Sequence, residues 1–146
     1  MNDGIAFAGR TAVINLFKRP GREKHPPSQN VANFLADLSV VAPAAGGGHH
    51  AFANETGGAH GWVQFIINSP RQVTLHRLWT LRPGEGNGSR MLGTLCELAD
   101  RHGVEICLKP LPFGRKPYRF SRQKLAEWYG RYGFTGDHKR MVRAAR

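Results

Sequence analysis

Acidic side chains and cysteine are scarce in this chain. Ten Asp and Glu stand against 21 Lys and Arg, and two cysteines occur in 146 residues. Two thiols exclude a disulfide-dense secreted scaffold. Cys96 and Cys107 also lack the paired spacing of a zinc site, so both read as reduced core residues. No apolar run is long enough for a membrane helix, and the start, Met1-Asn2-Asp3-Gly4, lacks the basic-then-apolar character of a secretory leader. A cytoplasmic protein with no membrane partner is the expectation, as monomer or homodimer. The length fits a single domain, 1–146. His49-His50 invites a metal reading, but neighbours on an extended chain point to opposite sides and no third ligand has suitable spacing, so the expected metal set is none.

The missing acid leaves a formal charge of +11, unevenly placed. From Lys109 to Arg146 eleven Lys and Arg face only Glu127 and Asp137, so nine net charges fall in the last quarter. Such a run is either a solvated face or an electrostatic funnel for an anion: a nucleotide-bearing small molecule, a nucleic acid or an acidic protein.

Hydrophobic periodicity lays out the elements. Ala12–Phe17 reads equally as strand or short helix, and the basic, proline-broken stretch from Lys18 to Pro27 as loop. Ser28 or Asn30 caps a helix whose stripe is Val31, Phe34, Leu35 and Leu38, stopping before Pro43. Ala44–His50 is flexible by composition, Ala51–Ala53 a short strand, and Asn54–Gly58 a turn. Trp62–Ile67 and Val73–Leu81 form an antiparallel hairpin through Asn68-Ser69-Pro70-Arg71. Strict alternation in the second strand puts Val73, Leu75, Arg77, Trp79 and Leu81 on one face, and Thr74, His76, Leu78 and Thr80 on the other. A helix from near Ser89 to Gly103 presents Met91, Leu92, Leu95, Leu98 and Ala99, and leads to the strand Val104–Leu108 in a right-handed parallel crossover. After a basic, proline-rich loop, Ser121 caps a helix carrying Leu125, Trp128, Tyr129 and Tyr132. A final strand runs through Met141-Val142 into a ragged basic end.

Between the central strand and the following helix lies Leu81-Arg82-Pro83-Gly84-Glu85-Gly86-Asn87-Gly88-Ser89-Arg90. Alternate glycines bare the backbone, and the helix behind them points its positive end at the same place, so the stretch reads as an anion cradle or as a tight strand-to-helix turn. A P-loop requires Lys followed by Ser or Thr after the last glycine, where this chain has Ser89-Arg90. A dinucleotide fingerprint requires glycine where Ser89 stands, and Glu105, near the ribose-acid distance, sits inside the next strand.

Gly84-x-Gly86-x-Gly88 followed by Ser89-Arg90-Met91-Leu92 resembles the pyrophosphate motif Q/R-x-x-G-x-G/A of the GNAT superfamily of acetyl-CoA-dependent N-acetyltransferases. Leu125–Phe134, with Tyr129, Arg131 and Gly133-Phe134, resembles that family's second signature. The resemblance covers residues 61–146, and residues 1–60 stay unaligned. Its compact size is similar to acetyltransferase-like proteins of phages and bacteria. The departures are Pro83 at the Gln/Arg position and Arg122 where the family often has asparagine.

What the resemblance implies is an α/β fold: a GNAT-like mixed central sheet, helices on both faces, and a V-shaped splay between the two central strands. It also implies acetyl-CoA as co-substrate, gripped by Arg82, Gly84, Glu85, Gly86, Asn87, Gly88, Ser89 and Arg90, with the backbone of Trp79, Thr80 and Leu81 beside the pantetheine. Tyr129 matches the tyrosine that protonates the departing thiolate. His76, on the central strand, is the candidate base, with His49, His50, His60 and Glu55 behind it. The acceptor is an amine of a protein, a small polyamine-like molecule or a nucleobase, and the high positive charge disfavours a polycation. The competing reading is a catalytically lapsed scaffold that binds nucleic acid through its basic end, with Phe113, Tyr118, Phe120, Trp128 and Tyr132 stacking on bases.

Overall fold

The computed structural model describes residues 28–53, 58–112, 116 and 120–146. The expectations for Ala12–Phe17, the loop ending at Pro27, most of the Asn54–Gly58 turn, Glu55, Phe113 and Tyr118 fall outside the described residues.

Helix α1 (Gln29–Val41) begins where the Ser28 hydroxyl accepts from the Val31 amide, and stops two residues before Pro43. Its buried stripe is Val31, Phe34, Leu35 and Leu38, with Phe34 edge-on to Phe65 at 5.6 Å. Strand β1 (His49–Ala53) starts earlier than composition suggests. Its two histidines do point apart: His50 is buried, with Nδ1 2.9 Å from the Ala42 carbonyl, whereas His49 faces outward.

Strands β2 (Ala59–Ser69) and β3 (Gln72–Thr80) form the expected hairpin, closed by Pro70-Arg71. Then follow α2 (Asn87–His102), β4 (Glu105–Leu108), α3 (Arg122–Gly130), β5 (Thr135–Gly136) and β6 (Met141–Arg143). The sheet order is β1-β2-β3-β4-β6-β5, with β3 and β4 parallel and every other pair antiparallel. Helix α2 ends as its sequence requires: Gly103 takes φ +66°, and Arg101 and His102 occupy the last turn at the dipole's negative end.

The alternation expected for β3 does not survive. Gln64 pairs with Arg77 and Phe65 with Leu75, so His76 is an extra residue, a β-bulge. A bulge reverses which face later residues take. Leu78, opposite buried Val63, therefore turns inward with Leu75. Trp79, opposite Trp62, turns to the other face, where the two indoles stack at 5.5 Å. His76 and Arg77 both end up exposed.

One hydrophobic cluster joins α1, α2 and the inner faces of β2, β3 and β4, and extends to Tyr129, Phe134 and Met141. Helices α1 and α2 pack against each other, α1 against β1 and α2 against β2 and β3. Gly61 lets α2 come close to β2, since a Cβ there would sit 2.4 Å from the Met91 sulfur of α2. The basic end is anchored rather than ragged. Arg143 of β6 is 4 % exposed and grips both carboxylate oxygens of Asp100 on α2, at 2.8 and 2.9 Å, while its Nε donates to the Tyr132 carbonyl at 2.7 Å.

Candidate active site

The feature that distinguishes this sheet is the brevity of the β3–β4 pairing. Only Gln72, Val73 and Thr74 pair, with Glu105, Ile106 and Cys107. Over Leu75–Thr80 no described strand flanks β3 on that side, because β4 ends at Leu108 and takes β6 as its other neighbour. Unpaired strand backbone is a row of hydrogen-bonding groups in want of partners. The base of the gap is closed by side chains: Thr74 Oγ1 lies 3.1 Å from Cys107 Sγ, and Gln72 bonds Glu105 and Cys107.

Beyond Thr80 the chain enters the glycine-rich turn, whose residues 81–86 are all exposed. Gly84 and Gly86 have φ of +92° and +81°, the left-handed region that disfavours a side chain. Gly86 is the N-cap of α2, with no side-chain cap hydrogen bond and no acid in the first turn. The amides of Asn87, Gly88 and Ser89 thus have no intrahelical acceptor, and the positive end of a 16-residue helix stands open to an anion. Arg90 turns back to bond the Asn87 side chain, adding a cation beside these amides. The first turn of α2 carries no acid, and although Glu85 stands exposed in the loop before it, the bare amides give the turn the donors a diphosphate needs.

Helix α3 is tied to this point. Trp128 Nε1 donates to Ser89 Oγ at 3.2 Å, and the Tyr132 hydroxyl donates to the Ser89 carbonyl at 3.3 Å. Trp128 also lies within contact range of Gly88, along with Leu78. Trp128 and Tyr132 are therefore structural ties and not stacking surfaces, which corrects their place in the nucleic-acid reading. Ser89 as a double acceptor was not foreseeable, because nothing local in the sequence marks it.

Tyr129 is 8 % exposed, packed against Trp128 and Phe134 at ring distances of 4.9 and 5.5 Å. Burial pushes its phenol well above the usual tyrosine value, so the hydroxyl stays protonated. Among the described residues that hydroxyl has no hydrogen-bond partner, yet the fully enclosed unpartnered side-chain atom is His60 Nδ1. Of the candidate bases, His76 lies exposed on the bulge, His50 is spent on the Ala42 carbonyl, and His49 packs edge-on to Trp79. His60 sits beside the end of β3, its carbonyl accepting from Leu81. A shallow depression between α1 and α2, lined by Asp37, Val40, Val41 and Arg101 among others, lies toward the C-terminal half of α2, away from these groups.

No protein-family model and no curated protein sequence matches the chain. Among solved structures it is similar to Ard1 from Thermoplasma volcanium, with a TM-score of 0.51 and 13 % identity over 77 % of this chain and 78 % of that one. Anti-CRISPR protein AcrVA5 gives 0.47 and 22 % identity, over 57 % of this chain and 88 % of that one. The GNAT family N-acetyltransferase YhbS from Escherichia coli, solved in complex with CoA, gives 0.46 and 14 %, over 79 % and 67 %. At such identities the likeness speaks to architecture alone. The mixed six-stranded sheet, parted beside a helix that opens on glycines, shares its fold with Ard1 from Thermoplasma volcanium.

Proposed function

We propose that this chain is an N-acetyltransferase that moves an acetyl group from acetyl-CoA directly to an acceptor amine, without a metal or a covalent enzyme intermediate. The observation that carries this reading is the conjunction of two openings: β3 and β4 part after three residue pairs, and the uncapped N-terminus of α2 lies at the end of the parted strand. The amides of Asn87, Gly88 and Ser89 hold the diphosphate, supported by Arg90, with Arg82 standing in for the side chain that Pro83 lacks. The β3 backbone up to Trp79, Thr80 and Leu81 offers amide and carbonyl groups to the pantetheine arm. Acetyl-CoA brings the activated thioester.

Direct transfer requires one group to take the amine proton and another to protonate the leaving sulfur. Tyr129 serves as donor: burial keeps its proton in place, and the Trp128–Ser89 tie fixes its helix against the turn. His76 serves as acceptor, since the bulge lifts it clear of the ladder and into solvent. Calorimetric titration with acetyl-CoA tests the reading. Saturable binding of one molecule per chain, in the micromolar-to-millimolar range usual for enzyme substrates, is expected. No heat of binding up to about 1 mM would remove the assignment.

A further inference from the structure

The proposed reaction leaves the basic end of the chain unused, and the fold shows where its charges go. Strand β5, at the edge of the sheet beside β6, follows shortly after α3 ends. Arg131 caps α3, the Arg146 guanidinium lies against Gly133, and Lys139 and Arg140 occupy the turn between the last two strands. All four cations are exposed. Of the two acids of the last quarter, Asp137 accepts from the amides of Lys139 and Arg140 at 2.8 and 3.2 Å, which hold its carboxyl below the usual range. Arg143 is the cation this region spends internally, on Asp100.

The surface is as poor in apolar area as it is rich in charge. The large hydrophobics exposed on the described chain are Val40, Val41, Ile66, Leu81, Leu111 and Phe120, and none lies between 131 and 146. Protein interfaces draw their affinity from buried aromatic and aliphatic anchors, and a membrane surface also takes up apolar side chains. A phosphate backbone needs neither, only spaced cations. Trp128 and Tyr132 are occupied at Ser89, so base stacking on a single strand is not the means here. We propose that this edge of the sheet, Arg131, Lys139, Arg140 and Arg146, is a docking surface for the sugar-phosphate backbone of a nucleic-acid duplex. The inference is independent of acetyl-CoA.

The test is fluorescence anisotropy of the full chain with a labelled DNA duplex of about two helical turns, across a salt series. Four phosphate contacts predict a slope of log K against log salt of about −3.6, which is roughly a hundredfold loss of affinity between about 50 and 200 mM salt. The variant Arg131→Ala/Lys139→Ala/Arg140→Ala should bind far more weakly at low salt, with the slope reduced to about −1. The same variant should keep the parent's circular dichroism spectrum and cooperative thermal melt, which shows that it is folded whether or not the chain binds acetyl-CoA. Three results would overturn it: no duplex binding by the parent at low salt, a salt slope the variant does not change, or displacement by polyglutamate at lower charge concentration than by unlabelled duplex. Cations at a sheet edge also deter strand pairing. Self-association of the variant with unaltered duplex binding would point to that role instead.

Discussion

Replacing Gly61 by alanine probes the contact on which the position of α2 depends. The added Cβ would lie 2.4 Å from Met91 Sδ, 2.8 Å from Met91 Cε and 3.0 Å from the Trp79 carbonyl oxygen. Met91 is 1 % exposed, so its flexible end has little room to retreat. Overpacking of this kind costs about 1–3 kcal/mol. With a urea m-value of about 2 kcal/mol/M, a 2 kcal/mol loss moves the midpoint down by about 1 M. Met91→Ala alone should cost about 2–5 kcal/mol for the cavity it leaves. The double variant should be more stable than the sum of the singles implies, because the alanine methyl partly fills the space the thioether vacates. Equilibrium urea unfolding of all four proteins reads the coupling directly. Gly61→Ala within 0.5 kcal/mol of the parent, or strict additivity, would refute the reasoning.

Three further outcomes follow from named contacts. Arg143→Met leaves Asp100 with only the Arg146 amide and the Tyr132 carbonyl without its donor; urea unfolding should show a loss of about 3 kcal/mol, near the lower end for breaking a buried pair because Asp100 is part-exposed. The Arg143 guanidinium depresses the Asp100 carboxyl, so its stabilisation holds above the unfolded carboxylate value near 4 and drains away as pH falls through the folded one; in Arg143→Met that acid limb should shrink. His50 is buried, and burial lowers its pKa against the opposite pull of its Nδ1 bond to the Ala42 carbonyl, so it folds neutral. The unfolded chain takes up a proton below about pH 6.5, so stability should fall there by up to about 1.4 kcal/mol per pH unit, and His50→Asn should flatten that slope in a pH series of thermal melts. Tyr129→Phe should lower turnover by about a hundredfold or more with acetyl-CoA affinity nearly intact, in steady-state kinetics paired with calorimetry; unchanged turnover would strip Tyr129 of its role.

Where one local rule decides the structure, the residues announce it. Ser28 and Ser121 both cap their helices through the hydroxyl, the Val31–Leu38 stripe is the buried face of α1, and Gly103 ends α2 in the left-handed conformation. The two-residue link Pro70-Arg71 likewise gives the hairpin its register. What the sequence conceals depends on partners far along the chain. The bulge at His76 inverts half of β3, and no residue type there signals it, because His and Arg fit either face of an exposed strand. Arg143 looks like one more member of a basic tail until Asp100, 43 residues away, is brought beside it. Gly61 reads as the margin of a turn and proves to be a strand residue kept small by Met91. At the candidate site the glycines of the turn are legible as backbone left bare. The parting of β3 from β4 enters through the family resemblance and not through periodicity, since it follows from β4 being only four residues long.

The central claim is that bare amides at the head of α2 hold a diphosphate beside the gap between β3 and β4. Amide proton and nitrogen shifts of the isotopically labelled chain, followed as acetyl-CoA is added, test it residue by residue. Asn87, Gly88 and Ser89 should show the largest changes, with Thr80 and Leu81 next and the far strand β5 unmoved. Saturation without any response from residues 84–90, or a response confined to the basic end around Lys139 and Arg140, would contradict it.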